Sequence, residues 1–361
     1  MKKSLIALAV LAASGAAMAQ SSVTLYGVAD VWVGSVKNSV TFDGVTESAR
    51  ETLLESGGVS TSRIGFKGTE DLGGGLKAGF VLEQAIDLAD GTASGFTRQA
   101  TVGLSGGFGG VQLGRDYTAY DDIRGTANNT FDANVSATNA WVGYNGRANS
   151  QIKYTSPTFG GVSGALSYSL GGDKALNDNN KASSIVGLHA QYANGPIFVG
   201  FAHQTEKAGA NTALGVLAPF NSILEAAGEL PIVAPDGSKA AYNLITGSYD
   251  FGVAKLVGSY NQAKFTAPGV DGSLKANEYQ VGVEVPLASN LVLGAGYAQS
   301  DLKADGEKIA KSTGFSAALV YSLSKRTSAY AALNQIKLKD TVDLGFQAKS
   351  NLYAVGLKHT F

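Results

Sequence analysis

Apolar and polar side chains alternate in stretches of about ten residues along almost the whole chain, and this constrains the fold more than any other feature. Successive side chains on a β-strand point to opposite faces, so strict alternation marks a strand with one apolar face and one polar face. Over 313–323, Thr313, Phe315, Ala317, Leu319, Tyr321 and Leu323 share a face. Over 291–300, Leu291, Leu293, Ala295 and Tyr297 do so, and over 162–170, Val162, Gly164, Leu166, Tyr168 and Leu170. Over 76–88, Leu76, Ala78, Phe80, Leu82, Ile86 and Leu88 lie on one side, with Lys77, Glu83 and Asp87 on the other. Sixteen such segments fall near 23–33, 61–70, 76–88, 96–105, 110–116, 149–156, 162–170, 183–193, 196–205, 240–251, 253–265, 277–286, 290–301, 311–323, 326–338 and 350–361.

Strands of soluble sandwiches average five or six residues. Segments nearer ten residues match the span of a bilayer at a steep tilt. The connections alternate in length. Short ones lie at Asp71–Gly75, Gly106–Gly109, Asn194-Gly195, Pro286–Asn290 and Ser322–Lys325. Long polar ones lie near 34–60, 117–148, 171–182, 206–239, 266–276, 302–310 and 339–349. Short turns at one end and long loops at the other are the rhythm of a transmembrane barrel, and an even strand count brings both termini to the short-turn end. Beyond residue 19 no run of eighteen apolar residues occurs, so no transmembrane helix is expected. The expected fold class is all-β, a sixteen-stranded antiparallel transmembrane β-barrel. Its closure pairs every backbone donor and acceptor, which lipid cannot do.

The ends of the chain agree. Lys2 and Lys3 precede an apolar run from Leu5 to Ala13, and Ala17-Met18-Ala19 fits a small-residue cleavage site. Residues 1–19 therefore read as a secretory signal peptide, with the barrel over 20–361. At the other end, Tyr353, Val355, Leu357, His359 and Phe361 share one face, and Phe361 is the last residue. Tyr353 and Phe361 are spaced to reach the aromatic girdles at the two membrane interfaces. The 47 glycines sit inside alternating segments, as expected where strands approach closely or bend. With 28 basic and 29 acidic residues and no basic run, nothing points to nucleic acid. No cysteine is present, which excludes a disulfide framework.

Enzymatic motifs are thin. Gly103-Leu104-Ser105-Gly106-Gly107 has nucleophile-elbow spacing, but a further strand, Val111 to Arg115, follows where a helix is required. His189, His203 and His359 lack metal-ligand spacing, and Gly73-Gly74-Gly75 is a turn rather than a phosphate loop. No cofactor is expected. The stronger signal is arginine inside strands. Arg63, Arg98 and Arg115 interrupt small or apolar segments. On the lipid face a midplane arginine costs about 2–4 kcal/mol, so these side chains are expected to face a wet lumen.

These residues also carry a resemblance. Ser62-Arg63-Ile64-Gly65-Phe66-Lys67-Gly68, continued by Thr69-Glu70-Asp71-Leu72-Gly73-Gly74-Gly75-Leu76-Lys77-Ala78, resembles the second hairpin of the Gram-negative general porins. Tyr26-Gly27-Val28-Ala29-Asp30, Arg98-Gln99-Ala100 and Gly114-Arg115-Asp116-Tyr117 are similar to the same family. The closing Gly356-Leu357-Lys358-His359-Thr360-Phe361 resembles its β-proteobacterial branch. The resemblance implies a homotrimer of sixteen-stranded barrels in the outer membrane, each a passive channel for ions and small hydrophilic solutes. It implies a third extracellular loop folded into the pore opposite a basic wall. Carried over, the wall residues are Arg63, Lys67, Arg98, Arg115 and Arg147, with Glu83 as a lumenal acid. The third loop spans roughly Tyr117 to Gly146, and Asp121, Asp122 and Asp132 are its candidate acids. Its Arg124 is expected to reduce their charge. The family's Pro-Glu-Phe-Gly-Gly loop tip is absent here.

Arginines facing carboxylates across a narrow neck focus a transverse field, and the basic surplus implies mild anion preference. Two other functions stay open. A substrate-selective channel on the same fold calls for a lumenal aromatic stripe, and a barrel enzyme calls for a wall-mounted Ser/His or Asp/His pair. In the fifth loop, Asn221-Ser222-Ile223-Leu224-Glu225-Ala226-Ala227 resembles a capped helical turn, with Leu214, Val216, Leu217 and Phe220 adding apolar surface.

Overall fold

A computed structural model describes residues 22–127, 131, 133–170, 183–209, 214–217, 234–342 and 345–361. The signal segment 1–19, Asp132, Phe220 and the turn at 221–227 lie outside the described residues.

The chain forms a closed antiparallel barrel. β1 (Ser22–Phe42) pairs with β17 (Gln347–Thr360) on one side, from Val28–Thr360 to Thr41–Gln347. On its other side it pairs with two strands in succession. β2 (Val45–Ser56) lies along Val31–Phe42, and β3 (Arg63–Gly73) lies along Ser22–Val28. β2 and β3 thus fill one position, and seventeen strands make sixteen staves. The others follow in sequence order: β4 (Leu76–Ala85), β5 (Gln99–Gly106), β6 (Gly109–Tyr117), β7 (Arg147–Thr155), β8 (Val162–Ser169), β9 (Ser184–Asn194), β10 (Ile197–Lys207), β11 (Lys239–Asp250), β12 (Lys255–Thr266), β13 (Leu274–Ala288), β14 (Leu291–Ala304), β15 (Glu307–Ser322) and β16 (Thr327–Asp340). Each pairs with its sequence neighbour. No helix among the described residues is long and apolar enough to cross a membrane.

Two of the expected long loops are strand. The stretch 34–60 is mostly the upper half of a hairpin that turns at Asp43-Gly44, and 302–310 turns at Asp305-Gly306. All four turn residues have positive φ, between 47° and 95°. Two-residue hairpins with the strand twist require this, and Asp-Gly adopts it most readily. The dipeptides were visible; the polar residues around them masked the strands, which here rise above the apolar band.

The alternation sorts cleanly. Val199, Phe201, Ile245, Tyr279, Val281, Tyr297, Phe315, Tyr353, Val355 and Phe361 are exposed on the outer face. Their lumenal neighbours Ala202, Gln204, Tyr242, Leu244, Glu278 and Ser316 are buried. A continuous apolar outer band of this extent is what lipid requires and water does not tolerate. The last residue closes the ring: Gly27 and Phe361 exchange backbone hydrogen bonds of 3.0 and 3.2 Å. The Phe361 ring lies over Gly27, where an added Cβ would sit 2.4 Å from it.

Between β2 and β3 the chain leaves the sheet and bends around Asp30, which is fully buried. Its carboxylate accepts the backbone N–H groups of Gly58, Val59 and Ser60 at 2.8–3.2 Å and the Tyr330 hydroxyl at 2.6 Å. Hydrogen bonds to a charged acceptor are among the strong ones. Asp30→Ala leaves these donors unpaired in a buried site, an expected loss of about 3 kcal/mol. A lower unfolding temperature in detergent checks this, with Asp30→Asn falling between.

Candidate pore constriction

The 118–146 connection between β6 and β7 crosses the lumen, and the wall beneath it is built to hold it. It begins with α1 (Ala119–Arg124), capped by Thr118, whose Oγ1 accepts the Asp121 N–H. α1 lies against β9 and β10. Ala119 N–H donates to Ser167 Oγ at 3.0 Å, and the Ala119 carbonyl meets His189 Nδ1 at 2.6 Å. Ala119, Tyr120 and Ile123 are fully buried. On the far wall, Phe131 and Val135 pack with Trp32, Val59, Ala318 and Tyr330. Val135 N–H donates to the Gly58 carbonyl at 3.2 Å, and Asn334 Nδ2 donates to the Ser136 carbonyl at 3.0 Å. On the return, Val142 N–H donates to Glu278 at 2.6 Å, and Asn145 donates twice to Glu206 at 2.6 and 2.7 Å. Glu206 also accepts Gly215 N–H of the fifth loop, where Leu214 and Val216 are buried in one cluster with Tyr120, Trp141 and Tyr242.

A strip of charged and aromatic groups runs along the wall. Glu83 on β4 is its centre. Arg98 Nε lies 2.7 Å from one carboxylate oxygen and Arg63 Nε 3.6 Å from the other. The Tyr26 hydroxyl donates to Glu83 at 3.0 Å, and Lys67 Nζ stands 5.1 Å above the Tyr26 ring. Arg98 also donates to the Tyr117 hydroxyl at 2.9 Å. Arg147 stacks on the Tyr117 ring at 4.0 Å and donates to the same hydroxyl. Arg63, Lys67, Arg98 and Arg147 thus come together through shared partners. Glu83 stands on the arginines' own wall and offsets part of their charge.

Arg115 does not join them. Register sets it opposite Ala100, on the outward face shared by Val102 and Leu113, and its guanidinium donates to the Thr97 carbonyl and to Asn149. Alternation along β6 is unbroken, so Asp116 falls on the opposite face with Gln112 and accepts from Gln99 at 2.6 Å; the extra residue of the register shift lies in β7, between Ala148 and Gln151. Lys153, which sequence reasoning passed over, holds the place instead. Its Nζ lies 2.8 Å from Asp122 and 3.6 Å from Asp116. Its alternation against exposed Ile152 and Tyr154 was the signal available.

Both described loop acids are weakened as free charges. Asp122 is tied to Lys153, with His189 Nδ1 at 3.8 Å; burial outweighs these attractions and raises its carboxyl above the ordinary value. Asp121 accepts the Tyr144 hydroxyl at 2.5 Å, and burial pushes its pKa up to about 6. Arg124 is buried, its guanidinium 4.4 Å over the Trp141 ring, and so belongs to the packing of the loop.

Comparison with known proteins agrees with this architecture. A family model described as Gram-negative porin matches residues 5–341. The chain is 40% identical to outer membrane porin protein 32 of Delftia acidovorans, over 99% of this chain and 95% of that one. It is 31% identical to an outer membrane porin protein of Bordetella pertussis, over 100% of both. Among solved structures, an anion-selective porin from Comamonas acidovorans superposes with a TM-score of 0.74 at 30% identity, over 95% of this chain and 100% of that one.

The loop's close approach depends on a bare wall. A Cβ at Gly314 on β15 would lie 2.1 Å from the Ala137 carbonyl oxygen, a backbone atom that cannot swing away. Gly314→Leu is therefore expected to lift the 133–141 segment off β14–β16 while leaving the barrel closed. Faster amide hydrogen exchange across that segment, with unchanged exchange in β10–β13, is the measurement.

Proposed function

Because the chain belongs to the Gram-negative porin family and is a diffusion channel of the outer membrane, we propose that solutes pass a charged neck between the third loop and the wall strip, and that this neck prefers anions. The observation that carries the preference is the charge balance. Arg63 and Arg98 share Glu83, Lys67 and Arg147 lie against the Tyr26 and Tyr117 rings, Asp122 is engaged by Lys153, and Asp121 is half-neutral near pH 6. The anion selectivity named for the Comamonas acidovorans porin points the same way.

The mechanism is electrostatic and passive. The wall guanidinium groups stay charged at any biological pH. Walls of low dielectric focus their field across the neck, raising the local concentration of small anions. Polar solutes align in the field and pass; apolar solutes must displace ordered water. Assembly as a homotrimer in outer-membrane lipid, as the family resemblance implies, is part of the same proposal, and chemical cross-linking to a three-chain band tests it.

A reversal potential in a planar bilayer under a potassium chloride gradient tests the neck. One unit charge about 8 Å from the ion path changes an ion's energy by about 0.5 kcal/mol in water, roughly halved by ~0.1 M salt. Arg63→Gln or Arg98→Gln is expected to lower the anion-to-cation permeability ratio by about twofold. Cation preference in the parent protein, or no change in either variant, would overturn the proposal.

Acid adds a second expectation. Asp121 is charged at pH 7.5 and neutral at pH 5, so anion preference rises as pH falls through about 6. Asp121→Asn holds the higher preference at both pH values. Since burial favours the neutral carboxyl, its contribution to stability is full below the ordinary value of 3.8 and is lost as pH rises through about 6.

A further inference from the structure

The first hairpin rises above the barrel rim with one edge bare. β2 runs in unbroken register along β1 and pairs with no other strand among the described residues. β3, which succeeds it in the same stave, pairs with β4 only as far as Ala85. Above that point residues 86–97 fold on themselves: Asp87 N–H donates to the Thr92 carbonyl, and Ser94 N–H to the Ala85 carbonyl. Gly57 N–H donates to the Asp30 carbonyl at 2.8 Å, which sets the phase of the β1–β2 ladder. Odd-numbered residues of β2 therefore bond to β1, and the N–H and C=O groups of Thr46, Ser48, Arg50, Thr52 and Leu54 point away from it. Among the described residues none of these groups has a backbone partner.

A long unpaired edge is a template for another strand, and proteins blunt such edges with proline, bulges or charge. β2 has neither proline nor bulge, and its charges are sorted by face. Trp32 is buried in a lumenal cluster and Leu53 packs against that cluster, so the odd-numbered side of β2 continues the lumenal face. That side reads Val45, Glu47, Ala49, Glu51, Leu53 and Glu55. Across the ladder Val45 meets Phe42, and both are exposed. The opposite side carries Thr46, Ser48, Arg50 and Thr52. Among the described residues no basic group lies within 4.0 Å of Glu47, Glu51 or Glu55.

These charges decide what can pair there. Laid antiparallel on a second copy of itself, β2 sets Glu51 against Glu51 and Glu47 against Glu55. Slipped to the next register, it sets Arg50 against Arg50. Like charges directly opposite are destabilising in either case. The 86–97 segment, whose only charges are Asp87 and Asp90, is repelled by the glutamates as well. We propose that the free edge of β2 takes up an extended cationic peptide from outside the cell as an added strand. Its backbone pairs with Thr46 to Leu54. Basic side chains at every fourth residue stand opposite Glu47, Glu51 and Glu55, and small or apolar ones between them meet Ala49 and Leu53. Main-chain bonds supply affinity in such pairing, and alternate side chains supply the choice of partner. The proposal rests on the outer-membrane placement of the barrel and is independent of the neck.

The test uses the purified oligomer in detergent and the end-capped peptide Lys-Ser-Val-Thr-Lys-Ser-Val-Thr-Lys. In the protein alone, the amides of Ser48, Arg50 and Thr52 are expected to exchange fast and those of Ala49 and Glu51 slowly, read residue by residue by NMR. Added peptide is expected to slow the first set at least about tenfold, a readout that needs no variant. The same peptide N-methylated at its Ser and Thr residues keeps its charge but loses the donors that face β2. It is expected to bind at least about tenfold more weakly. Ser48→Pro combined with Thr52→Pro removes edge donors without touching the bonds to β1, and should abolish binding with single-channel conductance unchanged. Replacing Glu47, Glu51 and Glu55 together by Gln is expected to weaken binding about tenfold and flatten its salt dependence. Equal binding of the N-methylated peptide would reduce the contact to charge attraction and overturn the proposal, as would unchanged affinity in the glutamine variant. Edge amides that stay fast with peptide present would overturn it too. So would edge amides already slow without peptide, which would assign the edge to a neighbouring copy.

Discussion

In a bilayer every peptide N–H and C=O must find a protein partner, because the hydrocarbon offers none and each unpaired group costs several kcal/mol. Everything else in this molecule follows from meeting that demand with strands. The sheet must close, so β17 returns to β1 and the terminal Phe361 completes the seam over Gly27. Once closed by backbone pairing alone, the barrel leaves its side chains free to specialise. One face meets lipid and the other meets water, and the alternation of the strands is the record of that division.

Sixteen staves enclose a lumen too wide to discriminate between solutes, and a loop crossing it needs its own backbone satisfied. The wall provides this with carboxylates. Asp30 holds the 58–60 bend, on which the far end of the third loop rests; Glu278 and Glu206 take the loop's return N–H groups. Acceptors that are charged and buried make short, strong bonds to backbone donors, so a few side chains suffice to fix a long segment. Gly187, Gly200 and Gly314 supply the complementary device, a wall without side chains where the loop must touch it. The acids that hold the loop face backbone, whereas the wall arginines share Glu83 and the tyrosine rings.

Much of this was legible in the chain. Alternation and turn rhythm disclosed the barrel and its sixteen staves, because a period of two maps directly onto two faces. Asp43-Gly44 and Asp305-Gly306 were readable as tight turns but were lost among polar neighbours. What the linear pattern could not carry was anything set by an irregularity or by distant partners. The irregularity between β6 and β7 adds a residue to β7, where Gln151 and Ala148 stand opposite Gly114 and Asp116. Asp121 and Asp122 look alike in sequence, yet one meets Tyr144 and the other Lys153, partners 23 and 31 residues away. The sequence by itself determined which side chains can face lipid, because hydrophobic periodicity is local. Only the tertiary structure decided which charges meet, because that depends on register, bulges and the path of a loop across the lumen.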